Sequence, residues 1–163
     1  MTVATKSTTS CHVRWMIRRD MERVLEIEQL AFQFPWREED FTRCLRQRNC
    51  IGMVAESLQT DDVLGFMLYE LHKTRLHLLN LAVHPYHWRR GVGKSLVGKL
   101  ASKLHVQRRR SITCEVRESN LDAQLFFKAM GFLAVNVLRD FYDPDETAED
   151  AIAFQRRVQE EPA

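Results

Sequence analysis

From Arg75 to Val83 the chain reads Arg-Leu-His-Leu-Leu-Asn-Leu-Ala-Val, apolar at odd and even positions alike. A strand that alternates apolar and polar residues can lie on a solvated sheet. A strand apolar on both faces is expected to lie centrally, covered on both sides. A loop, residues 84–90, follows it, then Gly91-Val92-Gly93. Beyond these, Leu96, Val97, Leu100, Ala101 and Leu104 recur at helical spacing. A buried strand that turns through glycines into a helix points to a layered α/β domain.

The flanking segments agree. Residues 13–17 read as a short strand. Asp20 is placed to cap a helix carrying Val24, Ile27, Leu30 and Ala31. Pro35 is expected to stop that helix and open a second, with Phe41, Cys44 and Leu45 on one face. Residues 51–57 and 63–71 read as strands around a turn at 59–62. Residues 111–116 place Ile112, Cys114 and Val116 on one face, Thr113 and Glu115 on the other. Ser119-Asn120 should cap a helix through Leu125, Phe126, Ala129 and Met130, ended by Gly131. Residues 132–138 and 151–155 read as final strands.

With 163 residues, 45% apolar and 28% charged, the chain suits one ordinary soluble domain and excludes collagen, coiled coil and wholesale disorder. No apolar run approaches the roughly 18 residues a membrane span needs. Residues 1–11 are polar and rich in Thr and Ser, which argues for a frayed tail rather than a secretory signal. Cys11, Cys44, Cys50 and Cys114 show neither CxxC spacing nor a partnering histidine pair, so they read as reduced, cytosolic thiols with no structural metal. Cys44 and Cys50 are near enough in sequence to meet. His84 and His87 have metal-like spacing but no third ligand nearby, and read as loop residues.

Net charge is only +2, but it is unevenly placed. Between Lys73 and Cys114 there is no acid, while Lys73, Arg75, Arg89, Arg90, Lys94, Lys99, Lys103, Arg108, Arg109 and Arg110 all fall there. Such a stretch implies an anionic partner, a phosphorylated small molecule or nucleic acid, or else a solvated helix face. The run Arg89-Arg90-Gly91-Val92-Gly93-Lys94-Ser95 sharpens the choice. Two glycines expose successive amides, a helix N-terminus follows, and three cations stand beside them: a site for phosphate, or a structural turn. A P-loop would need glycine at position 88, which is Trp88; a dinucleotide fingerprint would need Gly or Ala at 96, which is Leu96. A third pattern, Gln/Arg-x-x-Gly-x-Gly/Ala, is met by Gly91 and Gly93 and departs only at Trp88.

That third pattern is the acyl-CoA pyrophosphate loop of the GNAT superfamily of N-acetyltransferases. The chain resembles this superfamily in order and spacing. The segments that carry the likeness are Leu79-Asn80-Leu81-Ala82-Val83-His84-Pro85, the 89–95 loop, Cys114-Glu115-Val116-Arg117-Glu118-Ser119-Asn120, and Met130-Gly131-Phe132. More narrowly it resembles the bacterial ribosomal-protein-alanine N-acetyltransferases of the RimI type. Phe34-Pro35-Trp36 and Asp140-Phe141-Tyr142-Asp143-Pro144 are similar to that subgroup's substrate-facing segments. The resemblance implies a GNAT fold over residues 12–157, with tails at 1–11 and 158–163. Its single mixed central sheet, splayed where acyl-CoA binds, would be flanked by about four helices.

The resemblance also implies roles. Acetyl-CoA is the donor and no metal takes part. The backbone of Leu81, Ala82 and Val83 would receive the pantetheine arm where the strands part. Arg89, Arg90, Gly91, Val92, Gly93 and Lys94 would hold the pyrophosphate. Asn120 would bond the cofactor as well as, or instead of, capping its helix. Phe34, Trp36 and Tyr142 would face the acceptor. Glu115 matches the general base, although strand position alone suits a solvent-facing carboxylate equally. The usual acid is a tyrosine four residues before the Gly-Phe pair. That position is Phe127, in the cofactor site but with no proton to give. Tyr142 or water is left to protonate the thiolate. The expected activity is acetyl transfer to a protein N-terminus, the alanine of a small-subunit ribosomal protein, in the cytoplasm. Neither membrane nor direct nucleic-acid binding is expected. The alternatives are a lysine or small-amine acceptor, or a non-catalytic CoA-binding module.

Overall fold

The computed structural model describes residues 7–142 and 148–159. The described residues form seven strands and four α-helices. They run β1 (Cys11–Trp15), α1 (Met21–Ala31), α2 (Glu38–Leu45), β2 (Cys50–Ser57), β3 (Val63–Leu71), β4 (Arg75–Val83), α3 (Val92–Ala101), β5 (Ser111–Arg117), α4 (Leu121–Ala129), β6 (Leu133–Leu138) and β7 (Ala151–Arg157). Short 3-10 turns at Arg18–Asp20 and Pro85–His87 precede α1 and follow β4. The strands form one mixed sheet in the order β1-β2-β3-β4-β5-β7-β6. Among the described residues no helix is long and apolar enough to cross a membrane.

The chain divides into two compact units, Met1–Glu70 with Asn80–Ser102 and Leu71–Leu79 with Lys103–Ala163. In the first, β1, β2 and β3 form an antiparallel meander, Cys11 facing Ser57 and Cys50 facing Glu70. Its core draws Val24 and Ile27 from α1, Phe41 from α2, Met53, Val54 and Phe66 from the strands, and Leu96, Val97 and Leu100 from α3. A Cβ on Gly65 would stand 2.8 Å from the Ala82 carbonyl oxygen, so glycine is what lets β3 lie this close to the end of β4.

In the second unit β5 pairs antiparallel with β7 from Ser111↔Arg157 to Arg117↔Ala151, and β6 flanks β7. Leu76, Ile112, Cys114, Val116, Phe127, Phe132 and Phe154 fill the interior. The parallel ladder of β4 with β5 covers only Arg75↔Ser111, Leu76↔Ile112 and His77↔Thr113.

Several expectations are corrected. The first strand is Cys11–Trp15 rather than 13–17, because the chain leaves the sheet for the turn at Arg18–Asp20. Asp20 stands at the N-cap of α1 as expected, but its side chain makes no cap hydrogen bond to the helix. Its carboxylate accepts from the Ile17 amide at 2.8 Å and pairs with Arg14. The second helix opens at Glu38, not Pro35, since the Asp40 carboxylate accepts the Arg37 amide there (2.9 Å). Helix α3 starts at Val92, so the glycine run is half loop and half first turn. Strand β4 lies centrally, fourth of the seven, as expected, but its two faces are unequally covered: Leu76, Leu78 and Ala82 are buried, whereas His77, Leu79 and Leu81 are half-buried.

Candidate active site

In the second unit Glu115 lies on β5 two residues beyond the last β4–β5 pair, on the half-buried face opposite Cys114 and Val116. Alternation explains the placement: the even residues go to the core and the odd ones stay accessible. Oε2 of Glu115 stands 3.0 Å from Nε2 of His77, and its side chain keeps 23% exposure. Nδ1 of His77 is 2.7 Å from the Thr113 hydroxyl. Among the described residues Oε1 of Glu115 has no partner.

Tyr142 belongs to the same neighbourhood. The Arg117 guanidinium lies 3.8 Å from its ring centroid, and the Tyr142 amide donates to the Glu149 carbonyl (3.3 Å). Burial pushes its phenol up to about 12; Arg117 opposes that, while Glu115, Glu149 and Cys114 add to it. Glu149 accepts from the Ser119 amide (2.7 Å) and pairs with Arg117 (3.1 Å), contacts that hold its carboxyl below the ordinary range. Asn120 accepts from the Ala123 amide at 3.1 Å, a helix cap as expected. Phe127 is 7% exposed and packs edge-on against Phe132, with centroids 5.1 Å apart. The expected segment from Asp140 to Pro144 is described only to Tyr142; Asp143 and Pro144 lie outside the described residues.

In the first unit the glycine loop has two left-handed residues, Arg89 at φ 62° and Gly91 at φ 86°. The second is what glycine is for. The turn aims the chain into α3, and the Ser95 amide and hydroxyl both donate to the Gly91 carbonyl at 3.0 Å. The amides of Val92, Gly93 and Lys94 fall in the first helical turn, where no intrahelical acceptor exists. Arg90 stacks over the Tyr86 ring at 5.1 Å, and its Nε is buried with no partner among the described residues. Trp88 is no mere departure from a pattern. Its indole N–H donates 2.7 Å to the carbonyl of Val83 and so ties the loop to the strand it leaves. The Thr9 amide donates to the Arg90 carbonyl (2.9 Å), which lays the chain before β1 along the loop. His84 Nδ1 accepts the Tyr86 amide (3.1 Å), a loop contact.

Phe34 and Trp36 sit half-buried between α1 and α2, also in the first unit, with the Trp36 ring edge-on to Phe41. What holds them is Glu28, only 1% exposed on the inner face of α1. One of its oxygens accepts the Trp36 amide and the other the Asn80 side-chain amide, both at 2.9 Å. Burial raises its carboxyl to about 7, against the lowering pull of those two donors.

The model of the acetyltransferase (GNAT) family matches residues 21–132. The chain belongs to this family. As a GNAT protein it is an N-acetyltransferase. It is 30% identical to the ribosomal protein bS18-alanine N-acetyltransferase of Salmonella typhimurium over 152 residues, 93% of each chain. Among solved structures, the ribosomal-protein-alanine N-acetyltransferase of Escherichia coli superposes with a TM-score of 0.78 at 24% identity, covering 94% of this chain and 97% of that one. The NAA60 protein of Arabidopsis thaliana in complex with acetyl-CoA gives 0.76 at 18%, covering 91% and 100%.

The structure thus groups Glu115, Tyr142 and Asn120 in one unit, and the 89–94 loop, residues 81–83, Phe34 and Trp36 in the other. The functional candidates that sequence reasoning passed over are His77, Thr113, Arg117, Glu28 and Asn80. His77 and Asn80 interrupt an apolar strand, and Glu28 follows Ile27 in an apolar helical stripe. Each was a visible signal.

Proposed function

We propose that this GNAT protein transfers acetyl from acetyl-CoA to the N-terminal amine of a protein, the alanine of a small-subunit ribosomal protein, with Glu115 as general base. The observation that carries the chemistry is the Glu115 carboxylate: one oxygen engaged by His77, the other without a partner among the described residues, on a half-exposed strand face past the end of the ladder. The acceptor assignment draws on the names of the relatives. The same reading takes the protein as cytoplasmic, with neither membrane nor nucleic acid among its partners.

The residues suit acetyl-CoA on one test in particular. The buried, unpartnered Arg90 Nε beside free first-turn amides is an arrangement that a pyrophosphate would complete. In this reading Arg89, Arg90 and Lys94 supply charge, and the Gly91–Lys94 backbone supplies donors. The backbone of Leu81, Ala82 and Val83 receives the pantetheine arm, and Asn120 and Phe127 are taken as further cofactor-binding residues. Phe34, Trp36 and Tyr142 bind the acceptor.

Bound acetyl-CoA supplies a thioester carbonyl; the amine's C–N bond forms there as the C–S bond breaks and the thiolate leaves. Oε1 of Glu115 takes the proton the amine loses. With no acidic side chain at the Phe127 position, the thiolate takes its proton from water in this reading. Tyr142 serves as an acceptor-binding side chain.

The decisive experiment offers labelled acetyl-CoA with peptides bearing N-terminal alanine or other residues, beside free lysine and polyamines. Label is expected on the alanine peptides. Label on the free amines alone would overturn the N-terminal reading. Turnover that persists in Glu115→Gln would overturn the base.

A further inference from the structure

His77 closes the short β4–β5 ladder opposite Thr113, and its ring makes two polar contacts there. A histidine in the middle of an apolar strand is costly to bury unless both ring nitrogens find partners, and here both do. Nε2 faces Oε2 of Glu115 at 3.0 Å and Nδ1 faces the Thr113 hydroxyl at 2.7 Å. The proton bookkeeping is closed on one side. A carboxylate oxygen only accepts, so Nε2 carries hydrogen whether the ring is neutral or protonated. The Thr113 hydroxyl donates to Nδ1 in the first case and accepts from it in the second. With both nitrogens engaged the imidazole has none left for an incoming amine.

Resting on the reading of Glu115 as base, we propose that His77 is its positioning residue. His77, held by Thr113, clamps Oε2 and leaves Oε1 as the single oxygen that meets the amine. The geometry orders the three residues as a chain, Thr113 to His77 to Glu115, all within one unit. Such a clamp does two things. It fixes the carboxylate rotamer, which otherwise turns freely about its terminal torsion. It also sets the ring Nε2 3.0 Å from the oxygen that does not take the proton, beside the charge the base carries. The other titratable or charged groups facing this pair are His72, whose ring centroid is 6.4 Å from that of His77, Tyr142 from the segment before β7, and Cys114 and Arg117 on β5 itself. On β7 the residue opposite Glu115 is Ala153, which carries no charge.

The test compares His77→Leu, His77→Gln, Thr113→Val and Glu115→Gln in the full chain, reading kcat, both KM values, the pH profile of kcat/KM and the melting temperature. His77→Leu is expected to lower kcat about tenfold or more, short of the 10²–10⁴-fold typical for losing the base itself. It should also move the acidic limb of the profile to higher pH, with both KM values little changed. His77→Gln keeps an N–H able to reach Oε2, and should recover most of kcat and return the limb. Thr113→Val, nearly isosteric and suited to a strand, should shift both in the same direction by less. A lower melting temperature with kcat and the acidic limb unmoved would make His77 a structural tie and overturn the proposal. If His77→Leu does not fold, the Gln and Val variants decide by the same two readouts. Failure of the underlying reading looks different: Glu115→Gln would then keep its turnover, whatever the His77 variants do.

Discussion

Glu28 and Glu115 are the same residue in two opposite settings. Glu28 is sealed into the first unit with both oxygens taken by neutral donors, the Trp36 and Asn80 amides. Glu115 lies half-exposed in the second with one oxygen on His77 and one without a partner among the described residues. Burial strongly perturbs Glu28, yet it has no oxygen left for a substrate proton. A perturbed carboxyl therefore does not by itself mark the base; an available lone pair does. Glu28 acts instead as a clamp on the loop that carries Phe34 and Trp36.

The largest test of that contrast is Glu115→Gln. Turnover should drop about 10²–10⁴-fold while acetyl-CoA affinity and melting temperature stay close to wild type, since the strand face tolerates an amide. Steady-state rates beside cofactor titration would show it. The comparison breaks if Glu28→Gln abolishes chemistry and Glu115→Gln does not.

The second test is pH. The carboxyl of Glu28 is raised in the folded protein from an ordinary 4.5 to about 7, so between those values the folded state binds the extra proton. The contribution of Glu28 to folding stability is therefore fully present below about 4.5 and is lost as pH rises to about 7, by on the order of 3 kcal/mol. Denaturant midpoints against pH should slope downward in that window for the wild type and flatten there for Glu28→Gln. No slope would mean that Glu28 is better solvated than its burial implies.

Asn80→Leu sharpens the contrast further. It strips one donor from Glu28 and leaves a buried carboxylate oxygen unpaired, at a cost of about 1–3 kcal/mol. The same change should move the pH-dependent window upward. Equilibrium unfolding at two pH values checks both.

The smallest effect is expected from Tyr142→Phe. With Tyr142 binding the acceptor rather than moving a proton, kcat should change less than about threefold, short of general-acid catalysis, with the change concentrated in the acceptor KM. A large kcat loss at normal acceptor KM would make Tyr142 the acid.

Much of this was legible in the chain. The bounds of β3 and β4 follow from their apolar runs and from the turn between them, and the face of Glu115 follows from parity along β5. Local signals carry local structure. What stayed hidden depends on pairing between distant segments. His77 meets Thr113 only through a parallel register across 36 residues, which neither strand encodes alone. The start of α2 moved from Pro35 to Glu38 because the preceding chain is held extended, its Trp36 amide on a buried acid that is a neighbour in space. Glu28 itself sat in plain view on an apolar stripe, where a carboxylate asks for partners.

The indole bond from Trp88 to the Val83 carbonyl places a natural fluorophore on the loop proposed to hold pyrophosphate. Of the three tryptophans, Trp15 is largely solvated, Trp36 sits beside Phe41, and Trp88 alone has its N–H committed to the backbone of that loop. Indole emission responds to exactly such a bond and to nearby charge. A protein carrying only Trp88 would therefore report ligand arrival by its own light, with no label attached.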